Sequence, residues 1–343
     1  MIDIEKIVRP NILELMPYSS ARDEYTEEKG IFLDANENPF GKLNRYPDPY
    51  QRKLKEKLAD LKKVSSDTIF IGNGSDEIID LAFRIFCVPG VDKALTFSPT
   101  YGMYAVSAAI NNVELLEVPL NQNFQIDSEQ VKPYLVDKKI KLIFICSPNN
   151  PTGNLMRKKD IEFLVKNFKG IILIDEAYID FSKEESLIEL IDTYTNLIIS
   201  QTFSKAWGLA AARVGVAYAN SKIIEFYNKV KPPYNVSELN QKAAIEALKN
   251  FIEYKAQVKL ILAEKEGLKK HLESLDIVKK IYPSDANFLL IKVVDADAIY
   301  KQLVDQKISV RNRDSIVANC IRISIGTPKE NKKLLQALKN III

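Results

Sequence analysis

Hydrophobic positions along this chain follow two rhythms. Short β-branched runs occur at Thr68–Gly72, Ala94–Ser98, Val113–Val118, Ile140–Cys146, Gly170–Ile174, Asn196–Gln201 and Val214–Ala219. Amphipathic stretches such as Asp76–Phe86 and Lys158–Phe168 lie between several of them. Strand–helix alternation of this kind predicts an α/β architecture, a mostly parallel seven-stranded sheet with helices on both faces.

After Tyr218 the rhythm changes. Lys231-Pro232-Pro233 is a break. A long helical pattern follows from about Gln241 to Leu275, with apolar residues at Ala244, Leu248, Phe251, Val258 and Leu262. Gly267 marks its expected interruption. Strands are expected at Ala286–Val293 and Cys320–Ile325, with helical residues between them and at the C-terminus. The pattern divides the chain into a large α/β domain at 40–240 and a smaller α+β domain. The smaller one takes 241–343 together with the N-terminal segment 1–39. A length of 343 residues suits two domains, which usually hold about 100–200 residues each.

Charge narrows the possible partners. Lys and Arg number 48 against 45 Asp and Glu, a net charge of +3, too balanced to call for nucleic acid or a membrane surface. Cys87, Cys146 and Cys320 are far apart, form no C-x-x-C pair and sit in apolar runs. Buried, unpaired thiols are expected, with neither a disulfide framework nor a metal site. Residues 1–11 lack the apolar core of a signal peptide, and runs such as Leu142–Cys146 are too short to span a bilayer. A cytoplasmic protein is expected. His271, the only histidine, lies among charges on a helix and is given no role.

Polar motifs gather where the strands end. Gly72-Asn73-Gly74-Ser75-Asp76 follows one strand, and Pro148-Asn149-Asn150-Pro151-Thr152-Gly153 follows another. Asp175-Glu176-Ala177-Tyr178 closes a third, and Ser204-Lys205 lies just past a fourth. Each has an ordinary explanation as a turn, a cap or a solvated lysine. Parallel α/β sheets, however, bind ligands outside the carboxyl ends of their strands, so four motifs on that edge suggest one site.

The combination suits a phosphorylated pyridine aldehyde, pyridoxal 5′-phosphate (PLP). That cofactor needs an amine to anchor it, a carboxylate for its ring nitrogen, donors for its phenolate oxygen and an anion site for its phosphate. Lys205, Asp175, Tyr178 with Asn150, and the Gly74 turn with Arg213 fill those roles in that order. A helix N-terminus with free N–H groups is a ready anion site.

The sequence resembles the fold type I PLP enzymes, and more closely the histidinol-phosphate aminotransferases. The likeness runs through nearly the whole chain. It is carried by Asn36-Glu37-Asn38-Pro39, Arg45-Tyr46-Pro47-Asp48, Gly72–Ile78, Pro99-Thr100-Tyr101-Gly102-Met103-Tyr104 and Ser147–Gly153. It continues through Asp175–Tyr178, Ser204–Leu209, Arg213-Val214-Gly215 and Arg322–Thr327. The resemblance implies that Tyr101 stacks on the pyridine ring and that Ser75 and Asp76 hold the phosphate by backbone amides. It adds Thr202, Ser204 and Arg213 as side-chain donors to the phosphate. Tyr46 is to reach the phosphate of a neighbouring subunit, which makes a homodimer part of the site. Tyr18, Asn38, Arg311 and Arg322 are to face the substrate, with the arginines taking its anionic end. The chain departs from many relatives at Leu209-Ala210-Ala211-Ala212 and at Ser19-Ser20-Ala21-Arg22. The implied reaction is transamination between L-histidinol phosphate and 2-oxoglutarate. An aromatic aminotransferase, a PLP-dependent phospho-amino-acid decarboxylase and a non-catalytic PLP-binding regulator are the alternatives weighed.

Overall fold

The seven apolar runs pair into one sheet in the computed structural model, which describes residues 2–18 and 30–342. The strands are β1 (Ile69–Asn73), β2 (Lys93–Ser98), β3 (Glu114–Pro119), β4 (Ile140–Cys146), β5 (Ile171–Asp175), β6 (Leu197–Thr202) and β7 (Val214–Ala219). Their spatial order is β1-β7-β6-β5-β4-β2-β3. β7 runs against both its neighbours, β1 and β6, while every other pairing is parallel.

Successive side chains on a strand point to opposite faces, so an unbroken apolar run serves two layers at once. Ile172 and Ile174 of β5 join one core, with Leu54, Leu58, Ile161 and Leu164 from the helices Arg52–Lys62 and Lys158–Asn167. Ile171 and Leu173 join the other core. There they meet Ile78, Phe83, Tyr104 and Tyr227 from the helices Ser75–Phe86, Met103–Ile110 and Ser221–Val230.

A second sheet is antiparallel, with four strands: β8 (Val278–Ile281), β9 (Phe288–Val293), β10 (Arg311–Asn312) and β11 (Cys320–Ser324). Their order is β10-β11-β9-β8. The sheet packs against Leu268, Leu272, Ile299, Leu303 and Leu334 of the helices Phe251–Leu272, Ala296–Asp305 and Pro328–Lys339.

Two expectations need correcting. The long helical pattern is two helices, Glu238–Lys249 and Phe251–Leu272, divided at Asn250 and not at Gly267. A Cβ on Gly267 would meet nothing within 4 Å, so the helix carries that glycine at a cost of only about 1 kcal/mol. The first turns of the chain also do not join the smaller sheet. Ile4, Ile7, Val8 and Ile12 are buried in the core of the large one, and the Arg9 N–H bonds the Ile85 carbonyl at 3.0 Å. Their spacing makes an apolar stripe, and the helix Ser75–Phe86 offers the face it covers. The departure at Ser19–Arg22 lies outside the described residues.

The two sheets share a cluster of Tyr178, Phe181, Ala206, Tyr254, Val258 and Phe288. The loop after β4 is tied to the loop before β9. The Asp285 N–H donates to the Gly153 carbonyl at 2.7 Å, and its carboxylate accepts the Leu155 N–H at 3.0 Å. Among the described residues no helix is long and apolar enough to cross a membrane.

Candidate active site

Because β7 is reversed, its first residues reach the same sheet edge as the last residues of β1, β4, β5 and β6. A cavity of about 330 Å³ opens there. It is lined by Ser75, Asp76, Tyr101, Asn150, Asp175, Tyr178, Thr202, Ser204, Lys205, Arg213, Arg311 and Arg322, twelve residues singled out from the sequence. Cys146, Ala177, Ala210 and Arg313 complete the lining.

At one end lies an anion cradle. The chain leaves β1 through Gly74, whose φ of +79° is in the left-handed region. A Cβ there would stand 2.5 Å from Nη2 of Arg213, so glycine lets the arginine close over the turn. Ser75 and Asp76 then begin a helix of 12 residues, whose unpaired N–H groups and dipole favour an anion. The Asp76 carboxylate is held away from that task. It accepts the Tyr101 hydroxyl at 3.1 Å and pairs with Arg213 at 3.2 Å. Thr202 Oγ1 accepts the Ser204 N–H at 3.1 Å, which shapes the loop that follows β6.

Asp175 stands at the floor, 2% exposed, and accepts the Tyr104 hydroxyl at 3.0 Å and the Ala177 N–H at 3.1 Å. Burial lifts its pKa to about 6, and those two bonds oppose the rise. Such a carboxylate awaits a cationic partner. The Lys205 ammonium sits 5.7 Å from the centre of the Tyr178 ring. Its pKa lies below the usual lysine range, chiefly through burial and then through the charge of Arg322, with Asp175 and Asp76 pulling the other way. A lysine so shifted loses its proton, and so becomes a nucleophile, more readily.

Beside Tyr178 the lining is cationic. Arg322 donates to Asn150 Oδ1 and lies over the Phe288 ring, 5.1 Å from its centre. The Asn150 amide also donates to the Tyr178 hydroxyl at 3.5 Å. Arg311 faces Arg322 directly across the β10–β11 pair. Burial, ahead of the neighbouring arginines, pushes Arg313 down to about 10.

Three of the residues singled out do not enter this cavity. Tyr46 stacks on Tyr234 with ring centres 4.4 Å apart, Tyr18 is 72% exposed, and Asn38 is exposed as well. The two motifs around them are joined to each other instead. The Glu37 carboxylate pairs with Arg45 and accepts the Tyr46 N–H, both at 2.6 Å. Sequence reasoning overlooked Tyr104 and Arg313. Tyr104 is wholly buried, and its partner lies 71 positions away. Arg313 lies one residue past the two-residue strand Arg311–Asn312, too short a run to show an alternation that would have pointed to it. Among the described residues no group of three or more His, Cys, Asp or Glu is placed to share a metal ion.

A cradle for phosphate, a carboxylate for a cationic ring nitrogen, a poised amine and a phenol–amide pair form one surface. The residues present therefore fit a phosphorylated pyridine aldehyde. Comparison with known proteins agrees with this chemistry. Residues 23–338 match the family model described as aminotransferase class I and II. The chain is 51% identical over 344 residues to a histidinol-phosphate aminotransferase of Parabacteroides distasonis, covering 99% of each. Among solved structures it resembles the histidinol-phosphate aminotransferase of Clostridium acetobutylicum, with a TM-score of 0.80 at 27% identity over 87% of this chain and 91% of that one. It likewise resembles the Sinorhizobium meliloti enzyme in complex with pyridoxal-5′-phosphate, with a TM-score of 0.81 at 25% identity over 90% and 89% of the two chains. By family, the chain belongs to the class I and II aminotransferases, in the branch of the histidinol-phosphate aminotransferases.

Proposed function

We propose that this chain transfers the amino group of L-histidinol phosphate to 2-oxoglutarate with PLP as cofactor, giving imidazole-acetol phosphate and L-glutamate in histidine biosynthesis. The observation that carries it is the polarity of the cavity. One cavity is lined by Lys205, Asp175 and the anion cradle together with Arg311 and Arg322, which among the described residues pair with no carboxylate.

When bound, the cofactor supplies a carbonyl for amines and a ring that accepts electron density. The residues around it prepare that chemistry. The N–H groups of Ser75 and Asp76, with Thr202, Ser204 and Arg213, would hold the phosphate. Asp175 would keep a proton on the ring nitrogen, and Tyr178 with Asn150 would donate to the phenolate oxygen. Tyr101 would pack on the ring. Lys205 would anchor the group through its amine and, when that amine is free, would take the proton from the substrate's Cα as a positioned base. Arg311 and Arg322 grip the anionic end of donor and acceptor alike, since a guanidinium fork matches phosphate and carboxylate.

The reading includes a homodimer in the cytoplasm, with Tyr46 of one subunit reaching the phosphate of the other. Two observations support the dimer. Tyr46 lies outside its own cavity and is half exposed, and Ile31, Leu33 and Phe40 on the same segment are 91%, 90% and 82% exposed. Side chains that apolar call for cover when they cluster. Asn38 lies on this segment, and it and Tyr18 would join the substrate side of the assembled site. Cys87, Cys146 and Cys320 are free and buried, as suits a reducing compartment. On the same reading 40–240 is the cofactor-holding domain and 241–343 the smaller domain that brings the arginines.

The test is kcat/KM for histidinol phosphate, histidinol and phenylalanine with one acceptor. Histidinol phosphate should lead by several kcal/mol over histidinol, because losing the phosphate leaves a cationic pocket unpaired. If phenylalanine equals or beats it, an aromatic aminotransferase takes its place.

A further inference from the structure

The basic end of the cavity holds more charge than a carboxylate needs. Arg311 and Arg322 already face each other across β10 and β11, a like-charge pairing that disfavours the strands unless an anion lies between. Arg313 adds a third guanidinium. Its N–H donates to the Cys320 carbonyl at 2.8 Å, which prolongs the β10–β11 pairing by one step and returns the side chain to the face of Arg311. Arg313 lines the cavity with them, and among the described residues no carboxylate pairs with any of the three. The two acids of the lining, Asp76 and Asp175, are engaged with Arg213 and Tyr101 and with Tyr104. Nε of Arg313 and Nε of Arg322 are both buried without a partner among the described residues.

Buried donors of this kind call for an acceptor. One carboxylate has two oxygens and one charge, which a single guanidinium fork satisfies. A phosphate monoester has three terminal oxygens and about two charges near neutral pH. Three converging guanidiniums match the second ligand and over-supply the first.

We infer that Arg313 is a specificity-determining residue, the third guanidinium of a pocket built to select phosphate monoesters over carboxylates. The inference rests on the proposed function and sharpens it, since Arg311 and Arg322 alone would accept either anion.

The test compares the wild type with Arg313→Gln and Arg313→Lys, using histidinol phosphate, glutamate and histidinol as donors to the loaded enzyme. In the Gln variant the ratio of kcat/KM for histidinol phosphate over glutamate should fall by about 10-fold or more, the loss expected for one charged hydrogen bond. Histidinol brings no anion and should be unchanged, a result that general damage to the fold would not give. Lysine should restore part of the ratio, because it keeps the charge and loses the fork. Inhibition by glycerol phosphate, which carries no amine, should weaken in the Gln variant more than inhibition by succinate. Equal losses with all three donors, or an unchanged ratio, would overturn the assignment. The parent reading fails separately: a wild-type enzyme that prefers phenylalanine to histidinol phosphate sinks it whatever the variants do.

Discussion

Asp175 and Tyr104 show how one residue sets the working range of another. Burial makes the carboxylate of the cofactor-free protein reluctant to ionise, with a pKa near 6, and the Tyr104 hydroxyl is one of the bonds that keep it from rising further. The signs follow from that shift. A folded pKa above the ordinary value favours the protonated form, so ionised Asp175 costs stability above about pH 6 and is relieved below it. A cation placed against it needs the ionised form, so PLP affinity should fall as pH drops through about 6. Tyr104→Phe removes a bond to the carboxylate and should move that inflection upward. Titrating the cofactor into cofactor-free protein between pH 5 and 8 measures both. An inflection left in place by the Phe variant excludes Tyr104 from this task. The pair also marks the limit of reading residues in sequence. Asp175 was legible through its company, because alone it reads as a cap and only the polar motifs ending the neighbouring strands make it part of a site. Tyr104 is one more apolar-looking residue on a helix face, and only the folded chain places its hydroxyl.

At the scale of elements, legibility tracked burial. β4 and β7 were read to the residue, because Ile140–Cys146 is apolar at every position but Lys141 and Val214–Ala219 is apolar or small throughout. β8 was missed, because Lys279 and Lys280 sit in its middle and are exposed. β10 is two residues long and has no period to detect. Glycines were ambiguous for a related reason, since sequence does not say whether a hydrogen is there for room or by accident. At Gly215 a Cβ would stand 2.5 Å from the Ser75 nitrogen and overlap the Gly74 carbonyl carbon, both backbone atoms of the turn beside it. At Gly267 the space is open. Gly267→Ala should therefore stabilise the protein by about 0.4–1 kcal/mol. Gly215→Ala should destabilise it by about 1–3 kcal/mol, as overpacking does, and loosen the phosphate cradle. Thermal melts of the two variants give the comparison. A lower Tm for the Gly267 variant, or an unchanged one for Gly215, would contradict the geometry.

For the whole molecule, a single chain brings together twelve of the fifteen residues singled out and leaves Tyr18, Asn38 and Tyr46 outside. Motifs at strand ends were legible because one sheet edge collects them. The segment 30–46 belongs to no strand edge, so its likeness to relatives was its only signal. If the site is completed across a dimer, inactive Lys205→Ala chains mixed with impaired Tyr46→Phe chains should form heterodimers in which one site keeps both residues. Activity should rise on mixing, to about a quarter or less of the wild-type value for random pairing with independent sites. A mixture no more active than its parts, or a fully active monomer by sedimentation, rules out sharing.

The reversed strand β7 has a consequence for how this chain tolerates insertion. Parallel neighbours must be joined by a crossover of a dozen residues or more, usually through a helix. Antiparallel neighbours need only a short return. Residues 203–213 make that return and carry Lys205 with them. The loop is pinned where the Phe203 N–H meets the Val214 carbonyl at 3.0 Å, and again where Trp207 stacks on Tyr254 with ring centres 3.8 Å apart. Those two anchors, and not the length of the return, set where the lysine stands. Surface loops elsewhere in the chain are free to lengthen over evolutionary time at little entropic cost. One added residue here would swing the amine away from Asp175 and Tyr178, so this loop should be the last in the protein to change its length.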